Sequence, residues 1–334
     1  MVDVSLVVGG KIYAAWKTVR ISQRLDALCA SFTLSTHDDF PIRVMAESPG
    51  CVITIGTDTV MTGYLEKGRR SELDGDFEVS GRDKTCDLVD CSVLPKEYHQ
   101  QSPRDLAQKL VEPFGITVNP PLLPFATIDL WRTEPGETVF QALERLCRRF
   151  GVLMRSNALG QLIIEAVGST RSETKLVQGE NIIDASVAIN KDQLYSEYTV
   201  AREGDNWLNP GVTVTVKDEE VRRARPLRVE AEGVTKPDEA KMRAAWERAV
   251  RRGRSLTVTV KTQGWRRPSG RLWQVNEVVS VDIPRLGLKH DLLVSGVEFS
   301  FGEDGTLTSL ELTYPDAFQP RPGDQRKKAG ILDW

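Results

Sequence analysis

Histidine is almost missing from this sequence: three residues in 334, His37, His99 and His290, each far from the others. Cysteine is sparse and odd in number, with Cys29, Cys51, Cys86, Cys91 and Cys147 scattered along the chain. A structural zinc site needs paired ligands at short spacing and a second pair to match. A disulfide framework needs an even set in a small secreted chain. Neither pattern is here, so no metal or cofactor is expected, and the cysteines read as small buried apolar residues. No apolar run approaches the roughly 20 residues that cross a bilayer. The opening "MVDVSLVVGGKIYAAW" lacks the basic segment and long apolar core of a signal peptide. The chain is therefore expected to fold in a cytoplasm without inserting into a membrane. A net charge of −3 gives no sign of a nucleic-acid partner.

Catalytic signatures are missing too. There is no glycine-rich phosphate loop, nucleophile elbow or His-Glu-x-x-His. Glu203 with Asp205, and Asp218 with Glu219 and Glu220, are the pairs that a glycosidase reading would use. Acidic pairs on loops are common, however, and nothing in the sequence marks one as buried. No enzyme is expected.

What the sequence does have is short alternating runs. In residues 1–98 these are "DVSLVV", "ASFTLS", "CVITIG", "TVMTGYLEKG" and "DFEVSG", separated by glycine, proline or aspartate, the pattern of strands and turns. A short helix is expected at "RDKTCDLVDCS", capped by Asp83 at a solvated start. Residues 99–180 change character. Ser102-Pro103 is a helix start. Val139, Leu143, Leu146, Cys147 and Phe150 form one helical stripe ended by Gly151. "VLMRS" and "QLIIEAV" then make a hairpin about "NALG". Residues 181–315 return to strands, interrupted by a helix near 237–252. Its expected apolar stripe is Met242, Trp246, Ala249 and Val250, with Arg243 on the wet side. Residues 316–334 are a tail.

One phrase occurs twice. "VMTGYLEKGRRSELDGDFEVSGRD" (60–83) and "LVSGVEFSFGEDGTLTSLELTYPD" (293–316) share a plan: hydroxyl-glycine, an alternating run, Asp-Gly, a second run, aspartate. The fold class read from this is α+β, mainly β. Two similar antiparallel β-barrels, about 1–98 and 181–315, flank a small α/β domain, and the second barrel carries the helical insertion. The repeat predicts that Gly63 corresponds to Gly296, and the Asp74-Gly75 turn to Asp304-Gly305.

"VSGRDKTCDLVDCSV", "GETVFQALERLCRRFGVLMRSNALGQLII" and "GRLWQVNEVVSVDIPRLGLKHDLLVSGVEFSFGEDGTLTSLELTYPDAF" resemble the baseplate hub proteins of contractile-tailed phages. They are most similar to the Mu-like tail hub and the late-control tail proteins of P2-like phages. The resemblance covers most of residues 1–318 in the same order and contains no catalytic motif. It implies a homotrimer whose six barrels make a pseudo-six-fold ring. Such a ring joins a hexameric tail tube, or its initiator, to a trimeric spike, contacts baseplate wedge proteins, and forms part of the DNA channel. A contractile bacteriocin or a type VI-like secretion spike would use the same hub, and a tail-associated peptidoglycan hydrolase is a remoter alternative. The place it implies is the virion tail baseplate.

Candidate interface residues follow. Arg222, Arg223 and Arg225 lie in "VRRARPLR", and a second basic run occupies 248–254. Specific DNA binding is not expected, because a conduit that gripped phosphates would slow passage. Contact between subunits, with Asp218–Glu220 as partners, fits better. Trp265 and Trp273 flank the turn "RRPSGR" and are expected to be exposed anchors, since tryptophan is enriched at interface hot spots; Trp207 and Trp246 are the other tryptophans considered. In the tail, Ile331, Leu332 and Trp334 follow a basic stretch and read as an apolar anchor for a partner.

Overall fold

The computed structural model describes residues 3–37, 50–70, 75–121, 126–204, 211–231 and 236–321. The first part of the chain is all strand: β1 Val4–Val8, β2 Lys11–Tyr13, β3 Thr18–Arg24, β4 Ser31–Thr36, β5 Gly50–Ile55, β6 Asp58–Arg70 and β7 Phe77–Asp83. An α/β unit follows: α1 Cys86–Asp90, β8 Glu97–Gln101, α2 Pro103–Val111, β9 Val118–Pro121, β10 Ile128–Arg132, α3 Val139–Phe150, β11 Leu153–Ser156 and β12 Leu162–Glu165. The remainder comprises β13 Thr170–Arg171, β14 Leu176–Val177, β15 Asp184–Ile189, β16 Glu197–Arg202, β17 Val212–Lys217, β18 Pro226–Glu230, α4 Pro237–Arg254, β19 Leu256–Gln263, β20 Glu277–Ile283, β21 Leu288–Gly302 and β22 Gly305–Thr313.

The strands obey the two-residue alternation that buries one face. In β1, Val4, Leu6 and Val8 are buried, and in β7 Phe77 and Val79 are. The α/β unit forms where its local signals say it should. Ser102 accepts the N–H of Asp105, Thr138 and Gln141 make a reciprocal capping box, and Gly151 ends α3 at φ +69°. Gly151 is a glycine because that left-handed turn disfavours a side chain.

Most strands belong to one sheet, in the order β15-β19-β22-β21-β3-β4-β7-β6-β5-β1-β2, with β20, β13 and β14 attached beside β21. The two strand-rich ends of the chain are therefore one sheet, joined where β3 pairs antiparallel with β21. They also share a single hydrophobic core, from Val4 to Leu312. Antiparallel strands dominate, as read from the sequence, but among the described residues no ladder closes into a barrel.

Each end nonetheless has the same internal wiring. In chain order β3, β4, β5, β6, β7 the sheet order is β5-β6-β7-β4-β3. For β15, β19, β20, β21, β22 it is β20-β21-β22-β19-β15. Both contain a bulge at the same point. Glu66 is the extra residue of β6 against β7, and Ser295 the extra residue of β21 against β22. With the bulges superposed, Leu34-Val79 falls on Val260-Leu310, and Val19-Leu34 on Ala185-Val260. The repeated phrase thus marks equivalent hairpins, and Gly75 and Gly305 both take positive φ, +68° and +81°; counted from Val79 on Leu310, however, Gly75 falls on Thr306, one residue off the expected match. Asp74 lies outside the described residues.

The residue-level match differs from the sequence reading. Bulge register puts Gly63 opposite Leu292 and Gly296 opposite Lys67 in the superposition. The two glycines have different reasons to exist. A Cβ on Gly63 would lie 2.0 Å from the Arg82 carbonyl, whereas one on Gly296 would meet Glu311 Cβ at 3.3 Å.

A second correction concerns the insertion. "YSEYTVAR" and "GVTVTVK" do not join the large sheet. They form β16 and β17, which with parallel β18 and α4 make a separate layer with its own core of Tyr198, Val200, Ala240 and Ala244. The helix face is also rotated from expectation. Met242 is 55% exposed, while Arg243 and Glu247 are buried. The buried pair tolerates this because Arg243 donates to Glu247 at 2.6 Å one turn away, and Arg251 closes on the other carboxylate oxygen.

Candidate assembly surfaces

The joint between the two halves is built from charged side chains that the sequence did not single out. Arg24, at the end of β3, donates Nη1 and Nη2 to the two oxygens of Glu311 on β22 at 2.7 and 2.9 Å. It also grips Asp26 through Nε and Nη2 at 2.8 and 3.0 Å. Planar two-point pairing of this kind is geometrically specific. It raises the affinity of Arg24 for its proton and holds the Asp26 carboxyl below its usual range. Gln23 Nε2 donates to the Ser156 carbonyl at 3.0 Å, so the same strand also braces the α/β unit.

The turn "RRPSGR" is a second joint. Arg266 reaches back to Asp58 at 2.6 Å and to the Ile55 carbonyl at 2.9 Å. Arg267 is buried, pairs with Glu277 and Glu173, and lies 4.6 Å from the centre of the Trp273 ring. Trp265 and Trp273 are therefore not the exposed anchors expected. They are 7% and 4% exposed, and Trp265 Nε1 donates to the Ser300 carbonyl at 3.0 Å. The turn between them is polar, yet both rings are buried.

The basic stretches are largely consumed within the subunit. Arg225 lies 5.2 Å from the centre of the Tyr195 ring and donates to the Asp192 carbonyl at 2.7 Å. Arg228 pairs with Glu230, Arg252 with Glu220, and Arg248 donates to the Lys217 carbonyl. The acidic partners imagined across a subunit boundary thus include one, Glu220, engaged in its own chain. Arg222 and Arg223 are exposed. Trp246 is half-buried, with its Nε1 on the Gln319 carbonyl at 2.8 Å. Asp205, Trp207, Ile331, Leu332 and Trp334 lie outside the described residues.

A cleft of about 440 Å³ separates α3 from α4. Its two glutamates are engaged by arginines of the same chain, Glu144 by Arg148 and Glu247 by Arg243. Burial pushes the thiols of Cys51, Cys86 and Cys147 up to about 12, which keeps them protonated and inert. Among the described residues no cluster of metal-ligating side chains occurs, and no helix is long and apolar enough to cross a membrane.

The segment 66–70 at the far end of β6 is exposed throughout, and among the described residues β5 pairs along β6 only as far as Tyr64. At the sheet's end, among the described residues, β15 pairs with β19 alone, and Ile189 is 63% exposed.

Comparison with known proteins gives a consistent picture. Residues 3–83 match the family model of the Mu phage baseplate assembly protein GpP-like N-terminal domain. Residues 85–166 match the second domain of baseplate hub gp44-like proteins, and 236–321 the fourth domain of GpP. The baseplate hub protein gp44 of Escherichia phage Mu is 30% identical over 350 aligned positions, covering 98% of this chain and 92% of that one. The 43 kDa tail protein of prophage MuSo2 from Shewanella oneidensis superposes with a TM-score of 0.84 at 30% identity, over 96% of this chain and 99% of that one. A tail protein from Neisseria meningitidis gives 0.75 at 26%, over 94% and 98%. A component of the E. coli type VI secretion system shares the fold at 10% identity, with a TM-score of 0.58 over 98% of this chain and 80% of that one.

Proposed function

The chain belongs to the Mu-like family of phage baseplate hub proteins, and from that premise we propose that it works as a non-catalytic, homotrimeric ring in a contractile tail. Each subunit contributes two similar units, so three subunits present six to a hexameric tube on one side and three to a trimeric spike on the other. Closed cyclic symmetry is the usual solution for homo-oligomers. The observation that carries this reading is the shared wiring of β3–β7 with β15 and β19–β22, down to the bulge. Wedge proteins are the peripheral partners, and DNA passes through the ring without specific contacts. The protein's place is the virion baseplate, with assembly in the host cytoplasm.

Arg222 and Arg223 are proposed to face a neighbouring subunit or partner. The apolar end Ile331, Leu332 and Trp334 is proposed to bury against the spike, each side chain worth up to roughly 1.5–3 kcal/mol before ordering costs. The test is mass. Light scattering at micromolar concentration should give three times the 37.3 kDa of the subunit; a monodisperse monomer would sink the ring.

A further inference from the structure

After β22 the chain is led to the cleft between α3 and α4 and held at its mouth. A short turn, Pro315–Phe318, lies against α4. The two backbones approach so closely that a Cβ on Gly253 would sit 2.3 Å from the Ala317 nitrogen, a place that only glycine fills. Trp246 Nε1 donates to the Gln319 carbonyl at 2.8 Å, and Arg254 Nε to the Ala317 carbonyl at 3.2 Å. Phe318 to Arg321 then belong to the lining of the cleft itself. Residues 322–334 start from there.

The rest of the lining says what the cleft would accept. Leu28, Val152 and Met154 are buried in it, and Phe140 and Phe318 are half-buried. Its three acids are engaged, Asp26 by Arg24, Glu144 by Arg148 and Glu247 by Arg243. Arg254 is exposed in the same lining and has no carboxylate partner among the described residues. The cleft thus offers apolar walls and one guanidinium open to a carboxylate.

We propose that Ile331, Leu332, Asp333 and Trp334 of the same chain dock in this cleft, with the Asp333 carboxylate on Arg254. The segment supplies the matching chemistry: three large apolar side chains around one carboxylate. Reach is no obstacle, because residues 322–330 lie between Arg321 and Ile331 and extend by up to roughly 3.3–3.6 Å each. Closing so short a loop costs little entropy, and the tether holds the end at an effective concentration of about millimolar. The lining carries four arginines, Arg148, Arg243, Arg254 and Arg321, against its three acids. That balance keeps the basic run Arg326, Lys327 and Lys328 outside and admits the acidic, apolar end.

Docked in this way, the apolar end is covered in the free subunit. A partner that takes the same residues must first draw them out, so the docking opposes premature association. It needs neither ring nor partner and stands apart from the function proposed above.

Photo-cross-linking of the full-length chain tests it. With Trp334 replaced by p-benzoylphenylalanine, irradiation should give adducts on Met154 or its cleft neighbours Leu153 and Phe318, located by mass spectrometry in a species of one subunit's mass. Arg254→Glu and Asp333→Arg should each lower that yield several-fold. Combined, the two reversals should restore it, which a merely misfolded variant would not do. Adducts confined to other surfaces, or none, would remove the docking. Adducts on Met154 in a species of two or three subunits' mass would make the occupant a neighbouring chain and overturn docking within the subunit. A double variant no better than the singles would overturn the Arg254–Asp333 pair.

Discussion

Asp83 shows how much one residue holds here. It is 1% exposed, and accepts the N–H of Ala30 at 2.7 Å, the N–H of Thr85 at 2.8 Å and the Thr85 hydroxyl at 2.5 Å. It therefore ties β4 to the start of α1, as a buried acceptor rather than the solvated cap expected. Asp83→Asn puts an NH2 against one of these donors and should cost about 1–3 kcal/mol in chemical denaturation. Burial pushes the Asp83 carboxyl above its ordinary value, against its hydrogen bonds. A raised folded-state pKa in an acid means that its ionisation opposes folding. The stability difference between wild type and Asp83→Asn should therefore shrink as pH rises through the window above about 3.9, the unfolded carboxyl value. A difference that grows with pH there would contradict the assignment. Arg24 is partly exposed, so Arg24→Ala should cost only about 1 kcal/mol. The loss should be shared by Glu311→Ala in a double-mutant cycle, because both remove the same joint.

Elements depend on close approach and on buried charge. Gly63 lets β6 lie against the β7 backbone, where a Cβ would sit 2.0 Å from the Arg82 oxygen. Gly63→Ala should destabilise by about 1–3 kcal/mol, as overpacking does. Gly296→Ala meets a Cβ at 3.3 Å and should cost clearly less. Equal costs for the two would mean that the glycines share a role after all. In α4, Glu247 neutralises two arginines from a buried site. Glu247→Ala leaves Arg243 uncompensated and should cost about 3–5 kcal/mol. Thermal and denaturant unfolding should both show it.

At the scale of the molecule, one large sheet joins the two halves of the subunit where β3 pairs with β21. If the proposed ring holds, variants that spare the fold should fail in assembly. Under the proposed assembly, deleting residues 329–334 should leave the subunit folded and weaken its association with a partner; a truncated chain that forms trimers and binds a spike as tightly as the full one would remove the anchor role. Salt should weaken spike capture little if the apolar end dominates it, since screening acts on charges.

The sequence by itself determined what local rules control. The alternation of β1, β4, β5, β6 and β7, the capping of α2 and α3, the hairpin at "NALG", and the presence of a repeated hairpin were all legible, because each depends on residues near one another in the chain. The family, too, was legible from strand-and-turn stretches. Tertiary structure decided the rest. Strand β3, "TVRISQR", carries two arginines and gives a weak strand signal by itself, yet it joins the halves, because its partners on β21 lie from 296 − 24 = 272 to 301 − 19 = 282 residues away. The placement of β16 and β17 in a separate layer, the inward turn of Arg243, and the burial of Trp265 and Trp273 depended on what packs over them. Spacing along one chain says which face a residue takes, but only the fold says what lies against that face.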